Sequence, residues 1–255
     1  MDGSGRRSRH APLNLYSADL AYIHHVGFGG FAHRAAPALL TTLERHGVES
    51  GTVIDLGCGS GIWPRYLTDR GFKVIGIDAS PAMITIARDV APAATYRTAP
   101  VFRAALPACS AVTAIGEGLN YGAPTSRRPP QLSRLFARIF RALQPGGVFL
   151  FDVMVAPLDP IVLTPQFHEG EDWAVGSSAR YLPGRRRLRR RITTFRRYKG
   201  RFRRSHETHT IWLYDRLELL EQLQGAGFNA RSLTDYGDYP LLPSRAGFVA
   251  QKARH

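Results

Sequence analysis

Residues 53–61 read Val-Ile-Asp-Leu-Gly-Cys-Gly-Ser-Gly, and Asp78 closes the next apolar run. Alternate glycines where a strand gives way to a helix let backbone approach a ligand at points where a Cβ would collide. A carboxylate ending the second strand can accept both hydroxyls of a ribose. Together they describe a site for an adenosine-containing cofactor at the carboxyl edge of a parallel sheet. The spacing is Gly-x-Gly-x-Gly rather than the dinucleotide Gly-x-Gly-x-x-Gly, and no Gly-Lys-Ser/Thr phosphate loop is present. Asp55, just before the first glycine, sits badly beside a pyrophosphate but suits an ammonium group. The residues therefore point to a cationic, phosphate-free adenosyl compound: S-adenosylmethionine, with S-adenosylhomocysteine as its product.

The stretch VIDLGCGSGIWPRYL…GFKVIGIDASPAMITIAR resembles the first two motifs of the class I S-adenosylmethionine-dependent methyltransferases, and LQPGGVFLFDV resembles their fifth-strand region. The similarity, to bacterial small-molecule enzymes, covers about residues 31–153 plus the terminal helix and strands. It implies that Gly57, Cys58 and Gly59 pass under the methionine part of the cofactor, with Asp55 near the ammonium group. Asp78 would hold the ribose, Ala79 and Met83 would line the adenine, and Pro100 and Val101 would stand at the adenine edge. Gly116 would face the transferable methyl group. Tyr22 belongs to a Gly-rich, aromatic segment (residues 22–30) placed where related enzymes close over the cofactor.

On the acceptor side, Glu117 is expected to orient or deprotonate the acceptor, and His25 is a second general-base candidate. Asn120 and Tyr121 follow Glu117. Tyr236 and Tyr239 lie between the last two strands at the same sheet edge, so all four are expected to bind substrate. Asp152 is read as a loop-structuring residue and Trp63 as packing. Adjacent His24 and His25 are not a ligand spacing, and no metal is expected. The fourth strand lacks the Asn/Asp-Pro-Pro-Tyr/Phe run used on exocyclic adenine amines. There is no Pro-Cys dipeptide for attack on cytosine C5.

The elements that must carry these residues alternate. Residues 31–46 have apolar positions at helical spacing. Strands follow at 51–56, 72–77, around Tyr96, at 111–115 and at 148–153. Helices lie between them, one opened by Ser80-Pro81 as N-cap and first helical residue. This rhythm predicts an α/β fold: a doubly wound Rossmann-like methyltransferase sheet, mostly parallel with the last strand antiparallel. After Pro157 the pattern changes to Arg/Thr-rich extended stretches broken at Pro183-Gly184 and Lys199-Gly200. These read as three antiparallel strands inserted into the α/β domain. The expected organisation is a flexible tail at 1–14, a cofactor-binding domain at 15–156 and 213–255, and an antiparallel β insertion at 157–212 covering the acceptor side.

The formal net charge is +14, yet it is concentrated. Residues 181–204 hold eleven Arg, one Lys and no acid, while the rest of the chain carries 22 basic against 20 acidic residues. Three readings of this segment stand: a hairpin that neutralises RNA phosphates, a few arginines facing an acidic small substrate, or a solvated sheet face. With 44% hydrophobic residues the chain can bury a core, and two cysteines suit a reducing cytosol rather than a disulfide scaffold. No apolar run approaches the roughly 20 residues of a membrane helix. The expectation is a cytoplasmic monomer or homodimer without membrane contact. It would methylate a small molecule, secondary metabolites included, by in-line displacement, with RNA as the alternative acceptor.

Overall fold

The computed structural model of the chain describes residues 15–121, 131–156, 164–182, 184 and 186–254. The tail expected at 1–14 lies outside the described residues, as do 157–163 at the start of the insertion.

Two helices, α1 (Ala18–Phe28) and α2 (Gly30–Arg45), precede the sheet. Then β1 (Thr52–Leu56), α3 (Ile62–Asp69), β2 (Lys73–Asp78), α4 (Pro81–Val90), β3 (Thr95–Thr98), β4 (Cys109–Ala114), α5 (Leu132–Ala142) and β5 (Leu143–Met154) alternate as the apolar periodicity requires. The α4 start obeys its sequence signal, since Ser80 Oγ accepts from the Met83 N–H at 3.1 Å. The insertion is built of β6 (Gln166–Glu169), β7 (Trp173–Leu182), β8 (Arg187–Tyr198) and β9 (Arg201–Trp212). The chain returns through α6 (Arg216–Gly225), β10 (Asn229–Leu233), the short β11 (Asp235–Tyr236) and β12 (Tyr239–Pro240), and β13 (Arg245–Gln251).

The main sheet has the order β10-β13-β5-β4-β1-β2-β3, with β1 to β5 mutually parallel and β13 antiparallel to both neighbours. Apolar layers cover both faces. Phe136 of α5 packs on Phe149, Phe151 and Phe248 on one side, and Leu39, Leu43 and Leu67 close the other. Burial on both faces explains why β1, β4 and β5 read as unbroken apolar runs rather than alternating ones. The fold is therefore the expected Rossmann-like α/β sheet with an antiparallel insertion.

Two features differ from expectation. Residues 18–28 form a helix where only a closing segment was predicted. The insertion also has four strands, not three, because β6 adds to the edge of β7. The predicted turn at Lys199-Gly200 joins β8 to β9 with φ of 49° and 76°, the paired left-handed geometry that matches the twist of a hairpin.

Candidate functional site

A cavity of about 840 Å³ opens between the carboxyl edge of the main sheet and the insertion. Its floor is the β1–α3 loop. Gly59 has φ +52°, and no atom lies within 4 Å of where its Cβ would stand, so open space faces the loop there. Gly61, at φ +83°, opens α3, and a Cβ on it would meet the Ala87 Cα at 2.9 Å. The loop is thus shaped for a ligand on one side and for α4 on the other. Asp78 Oδ2 accepts from the Gly59 N–H at 3.0 Å and Oδ1 from the Ser80 N–H at 2.8 Å. These two bonds fix the carboxylate and leave acceptor capacity facing the cavity. Burial still pushes its pKa up. Asp55 accepts from Thr113 Oγ1 at 2.7 Å, and that hydroxyl in turn accepts from Trp63 Nε1 at 3.1 Å. Burial raises Asp55 to about 7. Each carboxylate is therefore held in place by neutral donors alone. Burial also raises the Cys58 thiol well above its ordinary range, leaving it an uncharged wall of the loop.

Ala79, Met83 and Val101 line the cavity beside this loop, and Gly116 lines it toward Glu117. Pro100 does not, because it only opens a 3₁₀ turn (Val101–Arg103) that drives Val101 inward. The expectation for Pro100 is corrected on that ground.

At the other end stands Glu117, just before the 3₁₀ turn Gly118–Asn120. Its carboxylate accepts from Arg190 Nη1 at 2.9 Å, Arg190 Nη2 at 3.2 Å, Arg245 Nη2 at 3.4 Å and Tyr121 Oη at 3.1 Å. Burial alone would raise its pKa, but the two guanidinium groups hold it below the usual carboxylate range. Arg245 also donates to Asp152 Oδ1 at 2.6 Å, and Asp152 Oδ2 takes the Gly116 N–H and the Tyr236 hydroxyl. Glu117 is therefore a paired anion in a closed network of two acids and two arginines, which is a poor arrangement for a proton acceptor.

The remaining predicted residues divide clearly. Tyr121 lines the cavity. Asn120 does not: its amide donates to the carbonyls of Met154 and Trp212 and accepts from the Met154 N–H, pinning β5 to β9 with no exposed surface. Tyr236 is buried behind the cavity on Asp152, and Tyr239 packs against Phe31 with Arg34 over its ring. Tyr22 donates to Asp172 beneath the Arg196 guanidinium, away from the cavity. The His25 ring is bonded to Ser60 Oγ at 3.0 Å and does not line the cavity.

Sequence reasoning missed Tyr16, Leu20, His24 and Phe28, which all line the cavity. Leu20, His24 and Phe28 recur every fourth residue on one face of α1, a helical repeat hidden in a Gly- and His-rich stretch, while Tyr16 stands ahead of the helix with no such signal. Burial lowers His24 to about 4, which leaves a neutral imidazole facing the cavity.

The insertion supplies the roof. Val175, Ser177 and Ala179 on β7 and Leu188, Arg190 and Ile192 on β8 face inward. The residues between them (Arg189 and Arg191 on β8, Arg180 on β7) are exposed on the other face. Arg190, the inward arginine on β8, is the one neutralised by Glu117. Among the described residues no His/Cys/Asp/Glu group could hold a metal, and no helix is long and apolar enough to cross a membrane.

A family model described as a methyltransferase domain matches residues 53–147, which hold the glycine loop, Asp78 and Glu117. The matched segment is a methyltransferase domain of the class I S-adenosylmethionine-dependent kind. Among solved structures, the chain superposes on an S-adenosylmethionine-dependent methyltransferase from Clostridium acetobutylicum with a TM-score of 0.77 at 15% identity, covering 91% of this chain and 97% of the other. It also superposes on a sugar N-methyltransferase from Streptoalloteichus (TM-score 0.75, 19% identity, 99% of both chains). At such identities the likeness is one of fold. In sequence, a dTDP-3-amino-3,6-dideoxy-alpha-D-glucopyranose N,N-dimethyltransferase from Streptomyces fradiae is 34% identical over 80 residues, 30% of this chain and 31% of that protein. The chain spans about a third to a half of the length of the curated relatives it first matches.

S-adenosylmethionine is the cofactor of this family, and the residues present fit it. The cradle at Gly59 leaves room for backbone approach, the buried Asp55 and half-buried Asp78 carboxylates face it, and the floor offers no cationic side chain for a phosphate.

Proposed function

We propose that this chain transfers a methyl group from S-adenosylmethionine to a small molecule held between the glycine loop and the insertion. The observation that carries this reading is the inner face of the basic sheet. Where it roofs the cavity that face is mostly apolar, through Val175, Ala179, Leu188 and Ile192, and the arginine it turns into the cavity, Arg190, is already neutralised by Glu117. When bound, S-adenosylmethionine supplies an electrophilic methyl on a sulfonium, open to in-line displacement. The chain's own part is positioning. Asp78 receives the ribose hydroxyls, Asp55 receives the ammonium group, and Gly57, Cys58 and Gly59 carry the methionine portion on backbone. Ala79, Met83 and Val101 bracket the adenine. At the acceptor end Gly116 and Tyr121 face the reacting groups, and Glu117 orients Tyr121 and Arg190 rather than accepting a proton. His24, neutral and turned into the cavity, accepts a hydrogen bond from an acceptor hydroxyl or amine.

Relatives named for amino-sugar methylation favour a small polar metabolite as the acceptor class to try first. The RNA alternative is disfavoured, because the exposed arginines of β7 and β8 project from the sheet face opposite the cavity. Calorimetry with S-adenosylhomocysteine, followed by methyl-labelling of amino sugars, hydroxylated aromatics and structured RNA, tests the reading. Failure to bind the cofactor product refutes methyl transfer, and label entering RNA alone refutes a small acceptor.

A further inference from the structure

The far end of β9 does not roof the cavity but grips the start of α1. Three alternate residues of that strand do the gripping. Arg203 Nε donates to Asp19 Oδ2 at 2.7 Å, and Ser205 Oγ donates to the same oxygen at 3.3 Å. Glu207 accepts the Tyr16 N–H on one oxygen and the Ser17 N–H on the other, each at 2.8 Å, and the Ser17 hydroxyl at 2.6 Å. His209 Nε2 lies 2.8 Å from the same carboxylate, whose side chain is 7% exposed. Ser17 precedes α1 but makes no cap bond of its own. The anion that satisfies the helix start therefore comes from a strand 190 residues away.

Tyr16 is the other half of the arrangement. Its φ is +53°, a conformation that a tyrosine keeps only when its surroundings impose it. Its ring lines the cavity, edge-on to His24 at 5.1 Å. Its carbonyl accepts from Ser80 Oγ at 2.7 Å, and the Ser80 N–H donates to Asp78. A continuous line of hydrogen bonds thus runs from the insertion through Glu207, Tyr16 and Ser80 to the carboxylate assigned above to the cofactor ribose.

We propose that Glu207 is a positioning residue for the cofactor: it latches the Tyr16–Ser17 strap over the cradle, so that the insertion governs cofactor retention as well as covering the acceptor. The inference rests on the cofactor reading above and adds a task for the insertion that the acceptor role does not require. Glu207, Ser17 and Ser80 do not line the cavity themselves, so their effect passes through Tyr16. The carboxylate is chemically necessary, since three donors from the strap converge on it. A glutamine would turn an amide N–H₂ toward some of them.

The test is stopped-flow release of S-adenosylhomocysteine from the full chain, followed by the fluorescence of Trp63 at the cavity wall. Glu207→Gln is expected to release the product about tenfold faster or more, and Ser17→Ala about threefold faster, with association rates changed less than about twofold. In the cofactor-free protein, hydrogen exchange at the Ser17 amide should accelerate in Glu207→Gln while the amides of β5 keep their protection. Should Glu207→Gln fail to fold, the milder Ser17→Ala decides alone. Wild-type release rates in the variants, with the wild-type chain binding normally, would overturn the latch and leave the cofactor reading standing. No binding by the wild-type chain would overturn the cofactor reading and the latch with it.

Discussion

Replacing Arg190 with Met removes the inward arginine of β8 while keeping a side chain of similar length. Glu117 then loses two of its four hydrogen bonds, those at 2.9 and 3.2 Å, and keeps Tyr121 and the longer contact to Arg245. Breaking a buried ion pair costs about 3–5 kcal/mol when the surviving charge is left alone. Here the survivor retains a second guanidinium, and the two side chains are 18% and 23% exposed, so water shares part of the load. The expected loss is about 2–3 kcal/mol at pH 7, read as a shift in the urea midpoint at constant slope. Arg190→Met combined with Glu117→Gln should recover at least about 1 kcal/mol, because the orphaned charge has gone. The sign with pH follows from the direction of the Glu117 shift. A carboxyl held below its unfolded value contributes stability that is present above that value and lost as pH falls through the folded one. The gap between wild type and Arg190→Met should therefore narrow as pH is lowered through the ordinary carboxylate range. A loss under about 0.5 kcal/mol, or a gap that does not change with pH, would refute the view of Arg190 as the counter-ion of Glu117.

Asp55 titrates at about 7 in the cofactor-free chain, and an ammonium-bearing ligand requires its ionised form. Calorimetric affinity for S-adenosylhomocysteine should therefore be highest above pH 7 and fall by up to about tenfold per unit below it, with Asp55→Asn flattening the profile. Asp78→Ala should weaken binding about 10- to 100-fold, the worth of one or two hydrogen bonds to a charged group, and unchanged affinity would remove it from the site. Gly59→Ala should cost about 1–2 kcal/mol of stability in thermal unfolding, since its left-handed backbone disfavours a Cβ. His25→Ala should leave affinity and its pH profile within about twofold of wild type, because the ring is turned to Ser60.

The cofactor half was legible because its signals are local. Gly57, Gly59, Gly61, Asp55 and Asp78 lie on one strand-loop-helix-strand unit, where spacing alone sets their relation. The acceptor half depends on partners brought together from distant parts of the chain. Glu117 meets Arg190 and Arg245, which are 73 and 128 residues away, and nothing near Glu117 in sequence announces that it arrives already paired. Asn120 failed for the same reason: its amide is consumed by Met154 and Trp212. Tyr236 and Tyr239 were placed on the correct stretch of chain, but which way a side chain turns from a short connection is decided by packing. In α1 the inward positions are split between two partners, with Ile23 on the insertion, His24 and Phe28 on the cavity and Leu20 on both, so no single amphipathic face stood out.

The parity of β8 has a consequence for how such a protein changes over generations. Even-numbered positions such as 188, 190 and 192 shape the chamber, while odd-numbered ones such as 189 and 191 meet water. Mutations can therefore add or remove surface arginines without redrawing the chamber, and can redraw the chamber without touching solubility. The two histories stay independent only while the strand keeps its register. A one-residue slip of β8 against its neighbours would exchange them at once, sending charge inward and leucine outward.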